Sequence, residues 1–271
     1  MCRWLAYTGN PVAIGDILFA PRSLIDQSMS SRSAETPTNG DGFGLGWYRD
    51  LPTPGLFRSI RPAWNDFNLR DLAVQARSPL FMAHVRATSL ATVQETNCHP
   101  FRWGKWLFVH NGEIFEVEKV RRDLVMQVGE KWFNNMQGTT DSELMFHLAL
   151  TLGLEEDPPG ALRRMAGMVE RAGRARGVDE ILWMTLGVTD GRSLWAVRYA
   201  SDGKAPTLYH SRDVADIAAF HPGVLDRFSP EARMIVSEPV GEEARTWVEV
   251  PQGSCLHAAG GEIRVEPFRP E

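Results

Sequence analysis

Cysteine is scarce in this chain: Cys2, Cys98 and Cys255 are the only three among 271 residues, an odd number with no CxxC spacing. That usage argues against a disulfide framework and against a thiolate zinc site, and for the reducing cytosol. Long apolar runs are missing too. None approaches a membrane span, and the opening MCRWLAYTGN lacks the apolar stretch of a secretory signal, so a cytoplasmic protein without a membrane partner is expected. Nor is there an excess of positive charge. With 29 Lys and Arg against 34 Asp and Glu the net charge is −5, and no basic run could track a phosphate backbone. Nucleic acid is therefore not an expected partner. No HExxH-like ligand spacing occurs, and the glycine-rich segment from Gly40 to Gly46 fits neither GxGxxG nor a Walker loop. No metal and no cofactor is expected.

What remains is a globular composition, 43% hydrophobic and 23% charged, long enough for a large core. Strands are expected at Cys2–Tyr7, Gly40–Tyr48, Leu80–Arg86 and Trp103–His110. Asn10-Pro11 reads as an N-cap with proline at the first helical position, ahead of a helix over Val12–Phe19. The polar stretch Ser28–Thr38 reads as a loop. Further helices are expected at Asn68–Arg77, Glu116–Val128, from a Thr140-Asp141-Ser142-Glu143 capping box onward, and from Asp157-Pro158-Pro159 to about Arg176. Strands return at Ile181–Thr189, Ser193–Tyr199, Thr207–His210, Arg233–Ser237 and Thr246–Val250. A terminal hairpin near residues 252–267 turns at Ala259-Gly260-Gly261. Strands at both ends with helices between them form an α+β pattern of mostly antiparallel sheet. No repeat and no linker divides it, so residues 1–271 read as one domain.

Cys2 follows the initiator methionine directly. Removal of Met1 would leave a thiol and a free α-amine on one residue, and such an amine, titrating near ~8, can accept the thiol proton. Taken alone, the position decides nothing, because any protein can carry cysteine second.

Four other segments place polar groups where apolar strands end. In His84-Val85-Arg86-Ala87-Thr88-Ser89, Arg86 needs an anion if it is buried: either an acid of the protein or a substrate carboxylate. In Asn97-Cys98-His99-Pro100-Phe101, His99 is held extended by the following proline and reads as structural rather than as a base. Cys98 and Cys255 read as small buried hydrophobes. In His110-Asn111-Gly112-Glu113, Asn-Gly marks either a tight turn or an oxyanion hole built from the Asn111 amide and the Gly112 N–H. In Gly138-Thr139-Thr140-Asp141, Asp141 either stabilises a helix start or holds a substrate ammonium group.

The ordered set Cys2, Asp41-Gly42-Phe43-Gly44, His84-Val85-Arg86, Asn97-Cys98-His99-Pro100-Phe101, Phe108-Val109-His110-Asn111-Gly112 and Thr140-Asp141-Ser142-Glu143 resembles class II glutamine amidotransferases of the N-terminal-nucleophile hydrolase superfamily. Ser237-Glu238-Pro239 resembles the stand-alone branch of γ-glutamyl hydrolases in ergothioneine synthesis and glutathione breakdown. The resemblance implies a four-layer αββα sandwich of two antiparallel sheets. It implies Cys2 as nucleophile, Asn111 and Gly112 as oxyanion hole, and Arg86 with a hydroxyl of Thr88 or Ser89 on a substrate α-carboxylate. Asp141 would take the α-ammonium. One departure is that Ser89 stands where amidotransferases that feed a synthetase often carry histidine. No synthetase domain is expected, so released ammonia would have no acceptor on the chain.

The expectation is a cysteine amidohydrolase that cleaves the γ-glutamyl amide of glutamine or another small γ-glutamyl compound through a Cys2 thioester. Two other readings stand beside it. One is a glutaminase subunit serving a separate acceptor-domain partner; the other is a non-catalytic γ-glutamyl sensor, should Met1 be retained.

Overall fold

The computed structural model describes residues 2–30, 38–87, 92–218, 226–241 and 247–271. Met1, residues 31–37 of the expected polar loop, Thr88, Ser89 and Thr246 lie outside the described residues. The strands are β1 (Arg3–Ala13), β2 (Phe43–Trp47), β3 (Gly55–Ser59), β4 (Arg77–Val85), β5 (Phe101–Trp103), β6 (Trp106–Ile114), β7 (Leu182–Thr189), β8 (Leu194–Ala200), β9 (Tyr209–His210), β10 (Arg233–Val236), β11 (Val248–Glu249), β12 (Ser254–Ala259) and β13 (Glu262–Pro267). The helices are α1 (Gly15–Leu18), α2 (Leu24–Met29), α3 (Phe67–Gln75), α4 (Val117–Val125), α5 (Glu130–Phe133), α6 (Asp141–Thr151), α7 (Pro158–Ala175) and α8 (Val214–Ala218).

The strands form two sheets, ordered β11-β9-β10-β1-β4-β2-β3 and β13-β12-β8-β7-β6-β5. Every pairing in them is antiparallel. Period-two alternation explains why they stack. Along β1, Trp4 and Ala6 point into a core between the sheets, which Leu80 and Met82 of β4 and Leu107 and Val109 of β6 also enter. The opposite faces do different work. Leu5 and Tyr7, with Phe81, Ala83 and Val85, pack on the side of α1 to α3. Trp106 and Phe108 pack on the side of α4, α6 and α7. Each sheet is therefore buried on both faces, and three hydrophobic interfaces hold four layers together, the αββα arrangement expected from the resemblance.

The alternating glycines of β2 serve the inter-sheet contact. A Cβ on Gly44 would fall on the His99 carbonyl oxygen, and one on Gly46 would stand 2.7 Å from Leu107. Only bare backbone lets the His99-Pro100 segment and the second sheet approach this closely.

Three expectations need correction. Val12–Phe19 is not a helix opened by Asn10-Pro11: β1 runs on to Ala13, and the helix begins only at Gly15. Asn10-Pro11 lies in a register shift of the β1–β4 ladder between Thr8 and Val12, where a residue without an N–H is tolerated. The Asn10 side chain accepts there from the N–H of Ser229, at 2.7 Å, rather than from a helix. The capping box at α6 is half formed. Thr140 Oγ1 accepts from the Glu143 N–H at 3.1 Å, but the Glu143 carboxylate accepts from the N–H groups of Gln137 and Gly138 instead of reaching back to Thr140.

Trp103–His110 is not one strand: Gly104, at φ 53°, and Lys105 turn the chain between β5 and β6, and β6 runs on to Ile114. Most other elements lie close to where periodicity and capping put them. In α7, Asp157 accepts from the Gly160 N–H at 3.1 Å and proline occupies the first turn. Gly260 and Gly261 both take positive φ, 56° and 81°, and close the β12–β13 hairpin. Among the described residues no helix is long and apolar enough to cross a membrane.

Candidate active site

The first group of candidate residues is assembled by strand register. Arg3 pairs with Val85 in the β1–β4 ladder, and Phe43 pairs with Val85 in the β2–β4 ladder. One step further on, Cys2, Arg86 and Gly42 stand at the same end of three adjacent strands. The Arg86 N–H donates to the Gly42 carbonyl at 2.8 Å, and the Asp41 N–H donates to the Arg86 carbonyl at 3.1 Å. Cys2 Sγ donates to the Ala87 carbonyl at 3.5 Å, so the thiol lies against the chain as it leaves β4. Arg86 is buried.

The second group sits on β6 and the start of α6. Asn111 and Gly112 are not a turn: they lie within β6 and pair with Thr185 and Met184 of β7. Gly112 has φ 147°, and a Cβ there would collide with the Trp183 carbonyl oxygen. Asn111 is buried and its Oδ1 has no hydrogen-bond partner among the described residues. Asp141 opens α6 and accepts from the Ile114 N–H at 2.8 Å and from the Ser142 N–H at 2.8 Å. Its helix-stabilising role is therefore real. It also ties the first turn of α6 to the end of the strand that carries Asn111 and Gly112. A carboxylate has about four acceptor positions, so these bonds leave room for another donor. His110 Nδ1 meets Ser142 Oγ at 2.8 Å and strengthens the same junction.

Two hydrogen bonds between the sheets join the groups. Trp4 Nε1 donates to the Thr185 carbonyl at 3.2 Å, and His84 Nε2 lies 3.1 Å from the His110 carbonyl. Because a carbonyl can only accept, His84 carries its proton on Nε2. A polar cavity of about 310 Å³ lies elsewhere, between the outer edges of the sheets, lined by Arg58, Arg102, Glu143 and His147 among others. None of Cys2, Arg86, Asn111, Gly112 or Asp141 lines it.

Burial dominates the electrostatics. It pushes the Cys2 thiol up, while the Arg86 and Arg3 guanidiniums pull it part of the way back. Burial also pushes Cys98 up to about 11 and Cys255 up to about 12, so both stay protonated and inert, as expected of small buried hydrophobes. His99 is held well below its ordinary value by burial. Its ring lies tilted against His84, centroids 4.1 Å apart, and meets Phe101 edge-on at 4.5 Å, a packing role rather than that of a base.

Burial holds His84 down at about 3, against 6.5 in the open chain. The unfolded chain therefore binds more protons between these values, so stability present above about pH 6.5 is lost as pH falls toward 3. At pH 5 the loss from this group is on the order of 2 kcal/mol. The urea midpoint is expected to fall between pH 7 and pH 5, and to fall less in His84→Gln, whose amide can still donate to the His110 carbonyl. An equal drop in both proteins would show that His84 is not the group responsible.

Thr88, proposed from the resemblance to assist Arg86, lies outside the described residues. Sequence reasoning missed Arg3 altogether and gave no role to Ser237 or Glu238. Arg3 forms a close ion pair with Glu238, both nearly buried, and also donates to the Cys2 carbonyl at 2.8 Å. A lone cation in an otherwise apolar strand was the available signal.

Two antiparallel sheets packed face to face between helices form an N-terminal-nucleophile hydrolase fold of the glutamine amidotransferase type. A family model described as class II glutamine amidotransferases matches residues 1–269, and the chain belongs to that family. It is 34% identical to a probable glutamine amidotransferase of Saccharomyces cerevisiae, over 99% of this chain and 84% of that protein. It is 30% identical to a γ-glutamyl-hercynylcysteine sulfoxide hydrolase of Mycolicibacterium smegmatis, over 57% of this chain and 65% of that protein. The structure of a glutamine aminotransferase class-II domain protein from Silicibacter pomeroyi superimposes with a TM-score of 0.74 at 32% identity, covering 99% of this chain and all of that one. The protein is thus an enzyme of the class II glutamine amidotransferase family.

Proposed function

We propose that this enzyme cleaves the γ-glutamyl amide bond of glutamine or of a larger γ-glutamyl compound by way of a thioester on Cys2, with residues 1–271 acting as one catalytic domain. The observation that carries the reading is the register that sets Cys2 beside Arg86 at one end of β1 and β4. A nucleophile there has a carboxylate-binding cation as its immediate neighbour.

With Met1 removed, the α-amine of Cys2 takes the thiol proton and the sulfur attacks the δ-carbonyl carbon. The carbonyl electron pair moves onto oxygen, where the Asn111 amide and the Gly112 N–H stabilise it. Collapse breaks the C–N bond. The departing amine leaves with the proton held by the Cys2 amine, and the acyl group stays on sulfur. Water then gives a proton to the same amine and adds to the acyl carbon; the C–S bond breaks, the sulfur recovers the proton from the amine, and glutamate leaves. Arg86, with Thr88, holds the substrate α-carboxylate and Asp141 holds the α-ammonium, one partner for each charge that binding desolvates. A thiol whose proton is retained by burial suits this scheme, since the sulfur is ionised only as the amine takes the proton. The names of two relatives, an amidotransferase and a γ-glutamyl hydrolase, agree with a pocket that reads the glutamyl head rather than the leaving group.

The test is to mix matured enzyme with glutamine, quench in acid and map the peptides by mass. The γ-glutamyl group is expected on the peptide that begins with Cys2. An active enzyme that carries it on Cys98, or on no cysteine at all, overturns the proposal.

A further inference from the structure

An N-terminal nucleophile raises a mechanical problem. Once Met1 is gone, no peptide bond holds the amine side of Cys2, and the residue is tied to the chain only through its carbonyl. The thiol and the amine must both stay free to react, which makes the carbonyl the group that can be gripped without blocking either. We propose that Arg3, Glu238 and Ser237 form a buried clamp that fixes the Cys2 carbonyl and so aims the thiol and the amine together. The inference rests on the reading of Cys2 as the terminal nucleophile.

The contacts form a closed chain. The Arg3 guanidinium donates through Nη1 to the Cys2 carbonyl at 2.8 Å and through Nη2 to Glu238 Oε1. The side chains are only 3% and 9% exposed, so this is no solvated surface pair. Glu238 sits on a segment sewn to β1. Ser237 Oγ accepts from the Trp4 N–H at 3.0 Å, and the Ser237 N–H donates to the Trp4 carbonyl at 3.0 Å. Behind it, Thr207 Oγ1 donates to the Ser237 carbonyl at 2.8 Å, and Gln27 Nε2 donates to the Pro239 carbonyl at 3.1 Å. The carbonyl that Arg3 grips is thereby referenced to β10, to the Thr207 segment and to α2. Burying an ion pair is a poor route to stability, since packed hydrophobes of similar volume do as well or better. Arg3 lies on the side of β1 that otherwise carries Leu5 and Tyr7, where an aliphatic residue would pack. An arginine is required because its planar fork serves two partners at once, which a single ammonium cannot do with the same geometry.

These are positioning residues, so their loss should slow the chemical step and leave substrate binding alone. Glu238→Gln and Arg3→Lys are expected to lower kcat for glutamine hydrolysis by roughly 10²-fold, the scale of a small misplacement of a reacting group. KM should stay within about two-fold, because Arg86 and Asp141 are untouched. Glu238→Gln also removes a negative charge from beside Arg3 and Cys2, so the acid limb of its kcat/KM profile should move to lower pH. A merely structural pair would lower the melting temperature and leave kcat and the pH profile of the folded fraction unchanged, which would overturn the clamp. So would a rise in KM alone. Should Glu238→Gln fail to fold, Arg3→Lys keeps the buried charge pair and carries the test. Cys2→Ala, assayed alongside, separates the two claims. If it is active, the nucleophile assignment fails; if it is inactive while the clamp variants turn over normally, only the clamp fails.

Discussion

Cys2→Ala is expected to lose hydrolysis of glutamine and γ-glutamyl anilides by about 10⁴-fold or more, with no material change in thermal stability. The size follows from what the residue does: without the sulfur there is no covalent intermediate, and what survives is binding and oxyanion stabilisation acting on a bulk water molecule. The stability half follows from place. Cys2 is half-buried just before β1, its thiol makes one long contact with the Ala87 carbonyl, and removing it costs well under about 1 kcal/mol. Cys2→Ser should fall between, since a hydroxyl is a far weaker nucleophile than a thiol at neutral pH. Cys98→Ala is the matching control, because Cys98 is fully buried and held protonated, and its loss should leave turnover within a few-fold. Steady-state rates and melting curves on the same preparations decide the matter. Comparable rates for Cys2→Ala and the parent would end the thioester mechanism.

The fold was legible wherever one physical signal governed. The alternation of Trp4 and Ala6 against Leu5 and Tyr7, and of Leu107 and Val109 against Trp106 and Phe108, is visible in the chain and is what the two-sheet stack is made of. Asn10-Pro11 misled because a β-bulge and a helix start draw on the same chemistry: an asparagine that accepts from a nearby N–H and a proline that has none to offer. Only the continuation of β1 to Ala13, paired through Val12 with Ser78, separates the two, and that pairing is long-range.

The candidate site divides along the same line. Arg86, Asn111 and Asp141 showed themselves as polar groups at the ends of apolar strands or at a helix start, positions a local reading can find. Arg3 showed only as a lone cation in an apolar strand and Glu238 not at all, because their meaning is in each other and they meet only when β1 lies beside β10. That Asn111-Gly112 is not a hairpin turn likewise needed the partner strand. Once Gly112 is opposite Met184 and against the Trp183 carbonyl, the glycine is explained by a neighbour rather than by a hairpin.

That neighbour makes Gly112 the second position of large expected effect. In Gly112→Ala the new methyl would overlap the Trp183 carbonyl oxygen at a backbone φ of 147°, which side-chain-bearing residues rarely adopt. The backbone there must rotate, at a cost of about 3 kcal/mol. Rotation also swings the Gly112 N–H away from the developing oxyanion, so kcat should fall by about 10²–10³-fold. Stability and rate are thus lost together in this variant. Asn111→Ala tells them apart. Its Oδ1 makes no hydrogen bond among the described residues, so truncation breaks nothing in the resting protein and should cost no more than about 1 kcal/mol. It removes the other donor, however, and kcat should drop on the same scale as in Gly112→Ala while KM stays near its original value. Urea titrations paired with kcat and KM for both variants give the comparison. A stable Asn111→Ala enzyme turning over at the parent rate would remove Asn111 from the oxyanion hole. The Gly112→Ala defect would then be one of folding alone.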